Sequence, residues 1–153
     1  MEKTALFAGT FNPFTIGHAN IVARSLPLFG RIVIGVAASK GKHTALSAEE
    51  RAQTIRRIYA DEPKVEVVPY SDMTLDLAKR MQADCLIRGI RSVKDFEMER
   101  QLADFNRRFG GIETLILVSE PELESLSSSL VRELQSFGKD VSALLPTPLK
   151  AQE

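Results

Sequence analysis

Five short apolar runs, separated by segments of helical periodicity, limit what this chain can fold into more than any other feature of its sequence. They are "TALFAG" (4–9), "RIVIGVAA" (31–38), "KVEVVPY" (64–70), "DCLIRG" (84–89) and "ETLILV" (113–118). None alternates strictly between apolar and polar residues, the pattern expected when both faces of a parallel sheet are covered. The first intervening segment follows Gly17 and carries Val22, Leu26 and Phe29 at helical spacing, with Pro27 at its exit. The second opens on "SAEE", where Ser47 and Glu50 form a capping box ahead of Ile55 and Ile58. The third lies near residues 72–82. The fourth, from about Asp95 to Phe109, carries Met98, Leu102, Phe105 and Phe109 on one stripe. Crossover helices between parallel strands run right-handed and pack on the sheet, so the sequence predicts a doubly wound five-stranded parallel α/β sheet. Beyond it, "SSSLVRELQSFGKDVSALLPTPLKAQE" reads as a helix, a turn at Gly138, a short apolar helix and a tail. All 153 residues are expected to form one domain.

Composition mainly excludes. Twenty basic residues balance twenty acidic ones, which argues against a general nucleic-acid binder while leaving room for a local anion pocket. Cys85 is the only cysteine and there are two histidines, too few for a cysteine- or histidine-rich metal cage. The first residues lack the long apolar core of a secretion signal, and no run approaches a membrane span. A soluble protein of the cytoplasm, with neither a membrane nor nucleic acid as partner, is expected.

Ligands of such sheets collect beyond the carboxyl ends of the strands, and four polar clusters fall there. In "GTFNPFTIGH", Gly9 permits close approach of the backbone to a ligand, Thr10 offers a hydroxyl, and the opening of the next helix attracts an anion. Thr15 and His18 lie three apart; taken alone, they are an N-cap and a packing histidine. In "SKGKHTALSAEER", Lys40 and Lys42 precede a helix and can grip a phosphate or simply face solvent. In "LIRGIRSVKDFEME", Arg88 and Arg91 flank Gly89 and suit bidentate bonds to phosphate oxygens. Asp95 and Glu99 can orient those arginines, meet a ligand, or serve the helix dipole. In "ESLSSSLVRE", Ser127, Ser128 and Ser129 can cap a helix or wrap a terminal phosphate, and Arg132 can reach the anion or cover the surface. Neither a P-loop nor a nucleophile elbow is present. A set of phosphate holders without a covalent nucleophile suits direct phosphoryl or nucleotidyl transfer.

"GTFNPFTIGH" resembles the "GTFDPxTxGH" signature of the HxGH-like nucleotidyltransferases, which are related to class I aminoacyl-tRNA synthetases. "AASKGKHTALSAEER", "LIRGIRSVKDFEME", "QLADFNR" and "LSSSLVRE" narrow the resemblance to the bacterial phosphopantetheine adenylyltransferase family, from Thr4 to about Leu145. The resemblance implies a Rossmann-like fold and transfer of AMP from ATP to 4'-phosphopantetheine, giving dephospho-coenzyme A and pyrophosphate. It implies Mg2+ held mainly by the substrates, with no protein metal ligands, coenzyme A as a feedback ligand, and a homohexamer. It assigns the catalytic work to His18, Thr10, Lys42 and Arg91. Thr10, Lys42, Thr74 and Arg88 would hold the acceptor. Gly9, Phe11, Gly17, His18, Gly89, Arg91, Glu99, Ser127, Ser128 and Ser129 would hold the nucleotide. Asn12, Ile16, Met98 and Glu124 depart from the family's usual pattern. The rival readings are a transferase acting on nicotinate or nicotinamide mononucleotide or a small alcohol phosphate, and a binding module without catalysis.

Overall fold

The computed structural model describes residues 2–39 and 46–147. Five strands, β1 (Thr4–Gly9), β2 (Arg31–Ala37), β3 (Val65–Tyr70), β4 (Cys85–Ile90) and β5 (Glu113–Val118), form one parallel sheet in the order β3-β2-β1-β4-β5. Each coincides with one of the five apolar runs to within a residue at either end. The helices are α1 (Ile16–Ser25), α2 (Ala48–Ile58), α3 (Thr74–Arg80), α4 (Val93–Gly110) and α5 (Ser128–Ser136). Pro27 sits in a 3-10 turn, Leu26–Leu28, that ends the α1 segment, and the Ser47–Glu50 capping box opens α2. The short apolar helix after Gly138 is a single 3-10 turn, Ser142–Leu144.

Strand alternation divides the core between the two faces of the sheet. Ala5, Phe7, Ile32, Ile34, Val36 and Ile87 pack with Val22 of α1 and Ile55 of α2. Leu6, Ala8, Val33 and Leu86 pack with Leu77 and Ala78 of α3. A third cluster, Leu126, Val131 and Val141, seats α5 against Ile16 and Leu123. Both faces of the central strands are therefore dry, which explains why their runs do not alternate, whereas the edge strands β3 and β5 stay partly open.

The strand order reverses between β1 and β4, and the ladder opens there. β1 pairs with β2 over six residues, Thr4 to Gly9, but with β4 over only three, Ala5 to Phe7. Beyond the Phe7–Ile87 pair the two carboxyl ends diverge, leaving a crevice flanked by Ala8–Thr10 and Arg88–Ile90. Such a switch point is where an open α/β sheet presents a site.

The stripe on α4 exists but does not face the core. Met98 is 60% and Phe109 75% exposed, and Leu102 and Phe105 also remain open. The one buried residue of α4 is Glu99. A stripe of four large apolar side chains reads as a core face, yet here a carboxylate holds that position because Arg88 meets it from β4. On the neighbouring strand β5, Leu115 and Val118 are exposed as well.

Candidate active site

Two adjoining cavities occupy the carboxyl edge of the sheet. The larger, about 670 Å³, lies over the β1–β4 opening, and the smaller, about 310 Å³, extends toward β3 and α4. Ala8, Gly9, Thr10, Arg88 and Glu99 line both and form the wall between them. Of the residues anticipated from the sequence, Phe11, Gly17, His18, Gly89, Arg91, Ser127, Ser128 and Ser129 line the larger cavity. Thr74 lines the smaller, its hydroxyl 2.8 Å from Tyr70 Oη. Lys42 and Lys40 lie outside the described residues.

The turn after β1 supplies the floor. A Cβ at Gly9 would stand 3.2 Å from the Phe11 ring. Phe11 itself adopts φ of 50°, a left-handed conformation that is costly for a bulky residue and recurs at binding sites. Its ring packs edge-on to Phe7 and Phe14 and closes the floor from beneath.

His18 is both a capping residue and a cleft residue. Thr15 is the N-cap of α1, and His18 at N3 completes a capping box. The backbone N–H of Thr15 donates to His18 Nδ1 at 2.9 Å, with the Thr15 hydroxyl 3.2 Å from the same atom. With Nδ1 accepting, the neutral ring carries its proton on Nε2. The imidazole lies flat against Phe14 and edge-on to Phe11, at centroid distances of 5.3 and 5.0 Å. Burial first, then repulsion from Arg88 and Arg91, pulls its pKa from 6.5 down to about 4. His18 is thus a neutral donor at neutral pH. Between about pH 6.5 and 4 the unfolded chain binds a proton at this position that the folded chain does not, so stability falls as pH drops through that window. His18→Gln is expected to remove this part of the acid slope, read as the difference between urea unfolding curves of the two proteins at about pH 7 and 5.

The two arginines are held differently. Arg88 donates from Nε and Nη2 to the two oxygens of Glu99, at 2.9 and 2.7 Å, and from Nη1 to the Ala8 carbonyl at 2.6 Å. This fork fixes the guanidinium plane in the wall between the cavities. Arg91 is looser: its backbone N–H donates to Asp95 at 3.0 Å, its Nε lies 3.6 Å from the same carboxylate, and its Nη1 reaches the Leu126 carbonyl at 3.4 Å. Asp95 and Glu99 therefore both serve as partners of the arginines.

Each serine of the triplet has a role in the fold. Ser127 caps α5 by accepting from the Leu130 N–H, Ser128 donates to the Pro13 carbonyl at 2.9 Å, and Ser129 accepts from Arg132. Arg132 also donates to the Asn12 carbonyl at 2.6 Å. These bonds dock the amino end of α5 onto the β1–α1 turn. All three serines line the larger cavity, so the helix amino end borders it, a favourable environment for phosphate.

Sequence reasoning missed Arg51 and the wall of the smaller cavity. Arg51 lies four residues before Ile55 on the inward face of α2, and a charged residue in that apolar register was its signal. Leu102 and Asn106 follow Glu99 at helical spacing and line the smaller cavity with Tyr70; only the burial of Glu99 reveals which face of α4 is inward.

Among the described residues, no three His, Cys, Asp or Glu side chains stand close enough to hold a metal ion, and no helix is long and apolar enough to cross a membrane.

The chain is similar to known proteins over most of its length. A family model described as cytidylyltransferase-like matches residues 6–134. The chain is 47% identical over 148 residues to a phosphopantetheine adenylyltransferase of Phocaeicola vulgatus, covering 97% of this chain and 98% of that one. It is 51% identical over 145 residues to a phosphopantetheine adenylyltransferase of Porphyromonas gingivalis, covering 95% of each. Among solved structures, a bifunctional NMN adenylyltransferase/ADP ribose pyrophosphatase from Francisella tularensis superposes with a TM-score of 0.74 at 15% identity, over 97% of this chain and 46% of that one. That last likeness is one of fold.

Proposed function

The chain belongs to the bacterial phosphopantetheine adenylyltransferases of the HxGH-like nucleotidyltransferase superfamily, and on that footing we propose how its cleft divides the work between two substrates. The enzyme transfers AMP from ATP to 4'-phosphopantetheine, giving dephospho-coenzyme A and pyrophosphate. The observation that carries the assignment is the shared wall: Gly9, Thr10 and Arg88 border both cavities. The nucleotide takes the larger cavity. Its phosphates meet Arg91 and the N–H groups opening α5, while Gly9, Phe11, Gly17 and Gly89 shape the surface beneath it. The pantetheine arm takes the smaller cavity beside Tyr70 and Thr74. Its phosphate rests at the wall, against Thr10 and Arg88, with Lys42 as the further cation.

An oxygen of the acceptor phosphate attacks the α-phosphorus as the bond to the β-phosphate breaks and pyrophosphate departs. The attacking oxygen is already anionic, so no strong general base is needed. What the protein must supply is alignment and relief of the repulsion between two polyanions. His18 donates from Nε2 to the α-phosphate oxygens as charge builds there. Mg2+ enters with ATP as a substrate ion. The acids nearest the cleft, Asp95 and Glu99, are engaged by arginines, so a Mg2+ ion would be held mainly by the substrates' phosphate oxygens and would supply charge neutralisation there. Coenzyme A, which shares the adenylyl and pantetheine portions of the product, occupies both cavities and competes with the substrates. Pyrophosphate release with 4'-phosphopantetheine, nicotinamide mononucleotide and a small alcohol phosphate as acceptors tests the assignment. Turnover with phosphopantetheine is expected, and preference for another acceptor would overturn it.

The enzyme assembles into a homohexamer. The exposed stripe on α4, flanked by Leu115 and Val118 on β5, supports burial between copies. Light scattering is expected to give six times the 17.0 kDa of one chain. Phe109→Glu is expected to yield smaller species with the single-chain fold retained.

A further inference from the structure

Among the described residues, Arg51 is the one buried charge outside the cleft wall. It is 3% exposed, and among the described residues no carboxylate lies within ion-pair distance of it. Buried guanidinium groups are ordinarily paired, because leaving water is costly for a charge. Here backbone carbonyls replace the carboxylate. Nε donates to the Leu46 carbonyl at 3.3 Å, Nη2 donates to the Ala37 carbonyl at 3.1 Å, and Nη1 donates both to Ala37 and to the Thr10 carbonyl.

The choice of carbonyls is informative. Ala37 ends β2 and Leu46 leads into the Ser47 cap of α2, so one side chain ties together the two ends of the connection that carries Lys40 and Lys42. Thr10 lies in the wall between the cavities. Arg88 holds the Ala8 carbonyl, so the backbone on both sides of Gly9 is held by a guanidinium. A core role alone would place an aliphatic side chain at this position of α2, in register with Ile55.

We propose that Arg51 is a positioning residue for adenylyl transfer: from beneath the floor it sets the Thr10 turn and the ends of the lysine-bearing connection, and so the place of the acceptor phosphate. This rests on the reading of Thr10 as a contact of that phosphate. Lysine, with one ammonium, cannot span three carbonyls, and glutamine lacks both the reach and the charge.

The test compares Arg51→Lys, Arg51→Gln and Thr10→Val with the parent enzyme in steady-state pyrophosphate release, with urea unfolding on each protein. For both Arg51 variants, kcat/KM for phosphopantetheine is expected to fall about tenfold or more, as displacement of reacting groups by an ångström can do. KM for ATP is expected to stay within about twofold, because its phosphate holders, Arg91 beyond β4 and the opening of α5, make no bond to Arg51. Free guanidinium ion at concentrations too low to unfold the protein is expected to restore part of the loss in Arg51→Gln and none in Thr10→Val. If Arg51→Gln does not fold, Arg51→Lys carries the kinetic comparison. Wild-type kinetics in a stably folded Arg51→Lys, beside an impaired Thr10→Val, would overturn the inference alone. An unimpaired Thr10→Val would overturn the reading of Thr10 on which it stands.

Discussion

His18→Ala is expected to lower kcat by roughly two to three orders of magnitude, the usual cost of losing one preorganised donor to a developing oxyanion. KM for either substrate is expected to move only a few-fold, because neither cavity owes its shape to the imidazole alone. The size of the effect follows from how the donor is prepared. Nδ1 is occupied by the Thr15 N–H, so the proton lies on Nε2 without any rearrangement during turnover. The surrounding Phe7, Phe11 and Phe14 rings lower the local polarity and make one hydrogen bond worth more than it would be in water. His18→Gln, which keeps an N–H donor on a longer chain, is expected to retain more activity than alanine. Single-turnover AMP transfer at saturating ATP separates the chemical step from product release and measures both variants. A kcat that rises as pH is lowered through about 6.5, and loses that dependence in His18→Gln, would instead assign the work to an imidazolium.

The second large effect concerns the Arg88–Glu99 fork. Glu99→Leu leaves a partly buried guanidinium without its carboxylate, a change that costs about 3–5 kcal/mol when burial is complete. Arg88 keeps 34% of its side chain exposed, which places the expected loss nearer 2–3 kcal/mol. The double variant Arg88→Met/Glu99→Leu removes both charges, and most of that stability is expected to return. Activity is expected to behave otherwise. The single variant frees the guanidinium plane, weakening acceptor binding, while the double variant removes the cation from the wall between the cavities and is expected to be close to inactive. Urea midpoints and pyrophosphate release on the same preparations give both readings. Recovery of turnover together with stability would show that Arg88 serves only the fold.

Much of this architecture was legible in the sequence. The strands were visible because central strands of a doubly wound sheet are apolar on both faces, and the capping box of α2 because its chemistry is local. What escaped depends on contacts between distant segments. The α4 stripe mimics a core face, and nothing within α4 indicates that Arg88, eleven residues before Glu99, turns the helix so that a carboxylate points inward. The serine triplet was legible as a cap or a phosphate loop. That Ser128 reaches Pro13 follows only from the seating of α5 on the third hydrophobic cluster. For His18 and Thr15, the capping box does not displace His18 from the cleft, because the same ring that caps α1 also lines the larger cavity.

That shared geometry has a consequence for inhibition. A ligand seeking Nδ1 of His18, or needing the ring turned over, would have to break the capping box that opens α1. Loss of such a cap typically costs on the order of 1 kcal/mol before any new contact is made. Only the Nε2 edge is presented without that cost. The helix therefore acts as a built-in bias on binding chemistry: groups that accept a hydrogen bond meet His18 freely, and groups that must donate one to it are disfavoured by roughly that amount, a several-fold loss of affinity.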